Sequence, residues 1–558
     1  MKFQTAWHEA WAGLHGSRLD ALVYAFIAGQ ALLQMLLPMQ GDEFFRGDAI
    51  YFELAEHLLR TGRYGLDFND VLYPPGLPAL LAGLCRVTAC SHADLVRAMP
   101  PFVALGLVAA YDLLRRAEGR GIAAAACLLV ASSPVVFELS TRWVLSDLPF
   151  FGASMATLAV AARLETAERF RTRVLLGLAC AVLLACCVLL RSAGMALIVA
   201  FAAWLGIGGL YADRAKCMRR VKRFAAVALM GLVVQGLWMG WASRHHESAD
   251  WPMLEGHPRS YVSQLKVKSG VRPELGTASP GDVAMRVPVN LAERAAGLSA
   301  LLLRKDSIYP AWHSPWVLGP VLLIAIGLAV SFAREGGGLA DWYFVVHEGM
   351  YLLWPWPYEE RFLLPVLPLA GLYLWRGTLA FARFAVRSPR LRASTPAAAF
   401  GLAPAQAAAG AMLAGLMTYG IALQAGIAWQ NLHFDAKAQP PYVQVLAARW
   451  IAEHTSEASV VMARQLDVMH LHAQRKVVWF APISDARVLM QGIRRLDANF
   501  VVVTNFWDYY LPSEDDCMRL LLAKYPRAFR VAHQGARFMI YEVVPAALPP
   551  GEDEAPRH

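Results

Sequence analysis

Long apolar runs separated by short, arginine-rich connectors constrain this chain more than any other feature. A helix needs about 20 apolar residues to cross the hydrocarbon of a bilayer. Such runs recur at about 19–39, 95–114, 121–138, 146–162, 174–190, 193–211, 224–242, 314–333, 341–356, 362–381 and 405–428. Lipid offers no water to an open peptide group, so segments of this kind must close their hydrogen bonds as helices. Composition agrees: 57% of the 558 residues are hydrophobic and 17% charged, against about 45–50% and about 25% in soluble domains.

The connectors set the orientation. With the N-terminus inside, cytoplasmic connectors hold Arg115, Arg116 and Arg120, then Arg163, Arg169, Arg171 and Arg173. Arg214 to Arg223 and Arg383 to Arg392 supply two further basic clusters on that side, whereas opposite connectors between close spans hold only Arg142 and Arg191. This is the positive-inside pattern. The net charge of +9 therefore reads as topology, not as a nucleic-acid footprint. The expectation is a polytopic α-helical membrane protein of about eleven spans. Residues 1–18 are the cytoplasmic N-terminus, 19–428 the membrane module, and 40–94 and 243–313 its large external loops. The first run lacks a small-residue cleavage site and reads as an anchor.

The tail differs in kind. Residues 429–548 read as an extracytoplasmic α/β domain, with a helix at VQVLAARWIAEH (443–454), buried strands at SVVMA (459–463) and NFVVVTN (499–505), and ARFMIYEVV (536–544) closing the sheet. The polar residues 549–558 read as a disordered tail. The eight cysteines show no paired metal-ligand spacing. Free thiols are expected throughout, although Cys85 and Cys90 could pair if they lie outside the cytoplasm.

The first external loop is too polar for its neighbours. RGDAIYFELAEHLLRTGRYG (46–65) places Asp48, Glu53, Glu56 and His57 just after a membrane span. Ile50, Leu54 and Leu58 recur every four residues, which makes an amphipathic surface helix, with Gly62 as its C-cap. Asp48 falls where an N-cap would sit, and capping alone would explain an Asp there. The YPPGLP that follows (73–78) restricts several backbone angles in succession, so the loop is shaped.

An Asp, a Tyr three residues on, an alanine-leucine helix, a Gly and then Tyr-Pro-Pro-Gly together resemble the first external loop of the polyprenol-dependent GT-C glycosyltransferases. That family includes protein O-mannosyltransferases, lipid A aminoarabinose transferases and lipopolysaccharide-core sugar transferases. STRWVLSDLPFF (140–151) resembles their second-loop motif through Asp147, and CVLLRSAGMAL (187–197) their Leu-Arg-x-x-Gly step through Arg191. DVAMRVPVNL (282–291) is similar to an Arg-x-x-x-Asn helix through Arg286 and Asn290, and YEERFLLPVLPLAG (358–371) to a late-span motif through Arg361 and Phe362. The matches run in family order across about residues 19–375.

The resemblance implies a GT-C-like fold and transfer of a sugar from a polyprenyl-phosphate donor to an extracytoplasmic hydroxyl, with inversion, in a bacterial inner membrane. The acceptor would be a glycolipid, a glycan or a protein. A hydroxyl is a weak nucleophile and needs a base. Asp48 is the candidate, with Asp42, of the Asp42-Glu43 pair, as runner-up. A departing lipid phosphate needs fixed cations, and the planar fork of arginine suits it. Arg191 and Arg361 are the candidates, with Tyr51 and Asp147 as further substrate-binding residues. The plainer alternatives are interfacial anchoring for the two arginines and helix capping for Asp147. No metal ligands are assigned and no cofactor is certain, but a divalent cation stays open. Two other classes also remain: a transporter or lipid flippase, and a non-catalytic assembly factor on the same fold. His347 and Glu348, inside an expected span, would line a cavity.

Overall fold

The computed structural model describes residues 16–37, 48–65, 73–210, 214–245, 261–270, 272, 275–303, 315–356, 360–387, 402–433, 442–504 and 511–548. Asp42 and Glu43 lie outside the described residues, as does the expected disordered tail 549–558.

The membrane module is helical. Its first part holds α1 (Gly16–Leu36), α2 (Ala49–Thr61), α3 (Gly76–Cys85), α4 (His92–Arg97), α5 (Pro100–Glu118), α6 (Arg120–Ala131), α7 (Pro134–Arg142) and α8 (Asp147–Thr166). There follow α9 (Phe170–Leu190), α10 (Met195–Leu210), α11 (Arg214–His245), α12 (Tyr261–Lys266), α13 (Pro280–Leu303), α14 (Pro315–Glu335), α15 (Leu339–Leu352), α16 (Leu367–Arg387) and α17 (Leu402–Leu432). Leu175, Leu178 and Val182 on α9 and Leu229, Leu232 and Leu237 on α11 stand exposed. A band of bare aliphatic side chains on long helices is the surface that lipid covers.

Among the described residues five helices are long and apolar enough to cross a membrane, or six if the bent pair α6–α7 is one span. The expected count of about eleven is not reproduced on that measure, for two physical reasons. Ser192–Gly208 and Leu318–Ala333 are shorter apolar helices, and α8 carries Asp147, Arg163 and Glu165 within its length. The basic connectors also do more than mark a side. The Asp112 carboxylate accepts from Arg115, Arg116 and Arg163, so three of the topology arginines share one acid.

The tail folds as expected in class and adds two strands. Its elements are α18 (Val443–His454), β1 (Val460–Ala463), α19 (Leu466–Ala473), β2 (Lys476–Trp479), α20 (Ala486–Arg495), β3 (Phe500–Thr504), α21 (Glu514–Lys524), β4 (Phe529–Gln534) and β5 (Phe538–Val543). The sheet order is β2-β1-β3-β5-β4, with β1 parallel to β2 and β3, and β5 antiparallel to β3 and β4. The strand at 538–543 therefore lies inside the sheet, and β2 and β4 form its two edges. Side chains alternate across the sheet as the period of two requires. Met462, Val478, Val501 and Val503 pack with α20 and α21, while Val461, Val477, Val502 and Ile540 pack with α18 and α19. Helices cover both faces, which buries the parallel strands. The domain is also joined to the membrane module: Val445 and Val468 lie in the same buried cluster as Leu54, Leu77 and Leu148.

Candidate active site

Asp48 precedes α2, yet its side chain makes no cap hydrogen bond. The plain capping account therefore fails for it. The carboxylate is fully buried, and His92 Nε2 lies 3.3 Å from its Oδ2, donating in the Nε2–H tautomer. His92 is held there by its own helix start. Ser91 Oγ accepts from the Asp94 backbone N–H at 3.2 Å, capping α4 at the residue before His92. The turn leading into it is closed covalently, because Cys85 and Cys90 are joined in a disulfide. The pairing left open for these two cysteines is therefore present, the two Cα atoms standing 4.4 Å apart across a tight turn.

Three residues along α2, the Tyr51 hydroxyl shares a 3.1 Å hydrogen bond with Ser146 Oγ. Ser146 immediately precedes α8, so this bond ties the first-loop helix to the second loop. Tyr51 also meets Tyr73 of the Tyr-Pro-Pro-Gly step edge to face, with centroids 5.2 Å apart. Asp147 is buried, with its side chain 2% exposed, and pairs with the Arg191 guanidinium. Arg361 Nη1 stands 3.9 Å from the other carboxylate oxygen. Arg191 Nη1 also donates to Ser146 Oγ at 3.4 Å. Its guanidinium lies 4.8 Å over the Phe362 ring, and that of Arg361 lies 5.3 Å from the same ring. Neither arrangement is that of an arginine reaching for headgroups, so the anchoring alternative does not describe these two side chains.

Two motif glycines make the arrangement possible. A Cβ on Gly76 would stand 2.6 Å from the carbonyl of Leu189, and one on Gly194 would stand 2.6 Å from the carbonyl oxygen of Cys187. The first contact lets α3 lie against the end of α9. The second lets the chain fold back over that same end. Arg191 falls between the two contacts and is turned toward Asp147.

Beside this centre lies a second charged group. Arg294 of α13 pairs with Glu348 of α15, and His347 Nδ1 is 3.1 Å from Glu348 Oε1. The Arg294 guanidinium lies 4.8 Å over Tyr351, which stacks on Phe362 at 5.1 Å. The ionisable pair His347 and Glu348 is therefore engaged by helix packing and not left lining open space. Arg286 and Asn290 do structural work. Asn290 Nδ2 donates to the carbonyls of Tyr351, Leu352 and Trp354, which closes the C-terminal end of α15. Arg286 Nη1 donates to the carbonyls of Leu265 and Leu353.

All four motif residues named for substrate or base chemistry that are described with Asp48 — Tyr51, Asp147, Arg191 and Arg361 — form one connected group. Sequence reasoning missed His92, Arg294, and the pairing of Glu53 with His470 of α19. Each comes from a segment remote in sequence, and only Glu53 carried a local signal, an acid on the loop helix. Among the described residues no cluster of three or more His, Cys, Asp or Glu side chains could hold a metal ion. The Asp147 carboxylate is engaged by the Arg191 guanidinium.

No protein-family model matches the chain, and no curated protein matches it in sequence. Solved structures do match in fold. ArnT from Cupriavidus metallidurans bound to undecaprenyl phosphate superposes with a TM-score of 0.54 at 14% identity, covering 95% of this chain and 99% of that one. The Archaeoglobus fulgidus oligosaccharyltransferase in its apo form gives 0.55 at 14% identity, over 96% of this chain and 75% of that one. The same organism's oligosaccharyltransferase AglB, in complex with an inhibitory peptide and a dolichol-phosphate, gives 0.53 at 14% identity, over 95% and 75%. At these identities the likeness establishes architecture alone: the chain shares the fold of ArnT and of the archaeal oligosaccharyltransferase.

Proposed function

We propose that the protein is an inverting glycosyltransferase of the bacterial inner membrane, taking its sugar from a polyprenyl-phosphate donor on the extracytoplasmic side. The observation that carries this reading is the join between the two motif loops. The Tyr51–Ser146 hydrogen bond ties α2, the helix that Asp48 precedes, to the loop that carries the Asp147–Arg191–Arg361 group. Two of the solved structures sharing the fold hold an isoprenoid phosphate, undecaprenyl phosphate in one and a dolichol-phosphate in the other. The Cys85–Cys90 disulfide supports an oxidising compartment for the first loop.

In the proposed reaction the oxygen of an acceptor hydroxyl attacks the anomeric carbon as the bond to the phosphate oxygen breaks. Asp48 takes the hydroxyl proton, help worth about 10²–10⁴-fold. Arg191 and Arg361 hold the phosphate as its charge develops, and Asp147 fixes both guanidinium groups in place beforehand. Attack opposite the leaving phosphate inverts the anomeric centre.

Mass spectrometry of envelope glycolipids and glycoproteins from a deletion strain tests the reading. One envelope component is expected to lose the mass of one sugar, naming donor residue and acceptor together. Unchanged envelope masses under conditions where the protein is made would overturn it.

A further inference from the structure

A column of flat groups runs from the central loop to the candidate site. Phe362 lies on the short helical turn Glu360–Val366. The Arg191 guanidinium stands 4.8 Å from its ring centroid and that of Arg361 5.3 Å. Tyr351 stacks on Phe362, with centroids 5.1 Å apart and planes 19° from parallel. The Arg294 guanidinium of α13 lies 4.8 Å over the Tyr351 ring and is itself held by Glu348. The backbone around Tyr351 is fixed from the same helix. Asn290 Nδ2 donates to the carbonyls of Tyr351, Leu352 and Trp354, and Arg286 Nη1 to that of Leu353. Further along, the Gly270 N–H donates to the Pro355 carbonyl at 2.8 Å, and a Cβ on Gly270 would overlap the Trp356 ring.

We infer that Tyr351 is a positioning residue for the arginine pair. It holds the Phe362 ring, and that ring sets the plane in which Arg191 and Arg361 present their N–H edges to a phosphate. The Arg286 and Asn290 motif of the central loop reaches the site through Tyr351. The consequence for donor binding rests on the transfer function proposed above; the placing of the guanidinium groups does not.

A guanidinium is planar and weakly hydrated, and it hydrogen-bonds only from its edge. A carboxylate constrains it along that edge, as Asp147 does for Arg191. The group can still swivel about the line of the ion pair. A ring against the face removes that rotation and uses none of the edge, which a phosphate needs for two-point contact. Phe362 has no polar atom with which to fix its own orientation, so packing must do it. Tyr351 supplies that packing through an aromatic stack within the favoured range of separation. Ion pair and ring together leave each guanidinium one orientation, set before the donor arrives.

Side-chain NMR of the full-length protein in nanodiscs, made with isotope-labelled arginine, reads the placing without any sugar donor. The Arg191 Nε–H signal, identified by its loss in Arg191→Lys, is expected to carry a ring-current shift that vanishes in Phe362→Leu. Tyr351→Leu is expected to remove most of that shift, and Tyr351→Phe to keep it. A wild-type signal with no such shift, or a shift unchanged in Tyr351→Leu, overturns the proposal. In the transfer assay Tyr351→Leu is expected to raise the KM for the polyprenyl-phosphate sugar about tenfold, the order of one lost cation–π contact, with kcat changed less than about twofold. Tyr351→Phe is expected to restore the wild-type KM. A purely structural residue would lower the active fraction, and with it kcat, at unchanged KM, and that result would contradict the positioning role. Should Tyr351→Leu fail to fold, Tyr351→Met, whose unbranched side chain fills irregular gaps, carries the same comparisons. Wild-type protein that shows the NMR pattern yet transfers no sugar would count against the function reading alone.

Discussion

Asp48→Asn protein is expected to purify folded and to transfer sugar at least about a hundredfold more slowly than the wild type. The amide keeps the volume of the carboxylate and one acceptor oxygen for His92, which lies 3.3 Å from Asp48 Oδ2. What it loses is the capacity to take a proton from the acceptor hydroxyl, so kcat falls while donor affinity holds. The measurement is a single-turnover rate at saturating donor, with a thermal unfolding curve beside it to confirm the fold. Asp42→Asn is the control. Normal transfer by the Asp48 variant together with a dead Asp42 variant would pass the role of base to Asp42.

Arg191→Ala is expected to have the second large effect, on stability as well as on transfer. The substitution takes the close cation away from Asp147, whose side chain is 2% exposed, and leaves Arg361 as a more distant partner at 3.9 Å. Removing one partner of a buried ion pair costs about 3–5 kcal/mol, because the other charge is left without compensation. The variant should therefore unfold earlier on heating and bind the lipid phosphate more weakly. A double variant separates the two roles. Arg191→Ala with Asp147→Ala removes both charges and should regain much of the lost stability, but transfer should stay low. Recovery of transfer along with stability would make the pair a structural strut and no more.

These two centres differ in how legible they were. Membrane helices announce themselves by length and hydrophobicity, and residues such as Leu175 and Val182 on α9 are apolar because lipid is their solvent. The motif residues could be placed because each sits at a helix end, where local spacing has meaning. Asp48 starts α2, Asp147 starts α8 and Arg191 ends α9. Their partners could not be read in the same way. His92 meets Asp48 from 44 positions away, and His470 crosses from another domain to reach Glu53. No periodicity encodes such a meeting, which depends on how helices dock.

The span count shows the opposite limit. Hydrophobic runs such as 341–356 mark a helix without saying whether it crosses. α15 is only 14 residues long, and its Asp341, His347 and Glu348 are held by Tyr373 and Arg294 inside the bundle. In the tail, β2 and β4 escaped notice because each carries a basic residue within its few positions and so breaks the apolar run. Lys476 opens one, and exposed Arg530 sits in the other.

Reconstitution decides the central claim. Wild-type protein is placed in proteoliposomes with a polyprenyl-phosphate sugar and an envelope acceptor extract, and the lipid fraction is followed in time. The expected result is release of free polyprenyl phosphate matched by sugar on the acceptor with inverted anomeric configuration, lost in Asp48→Asn. Donor that stays intact beside folded wild-type protein, or release that proceeds equally in the Asp48 variant, would contradict the account.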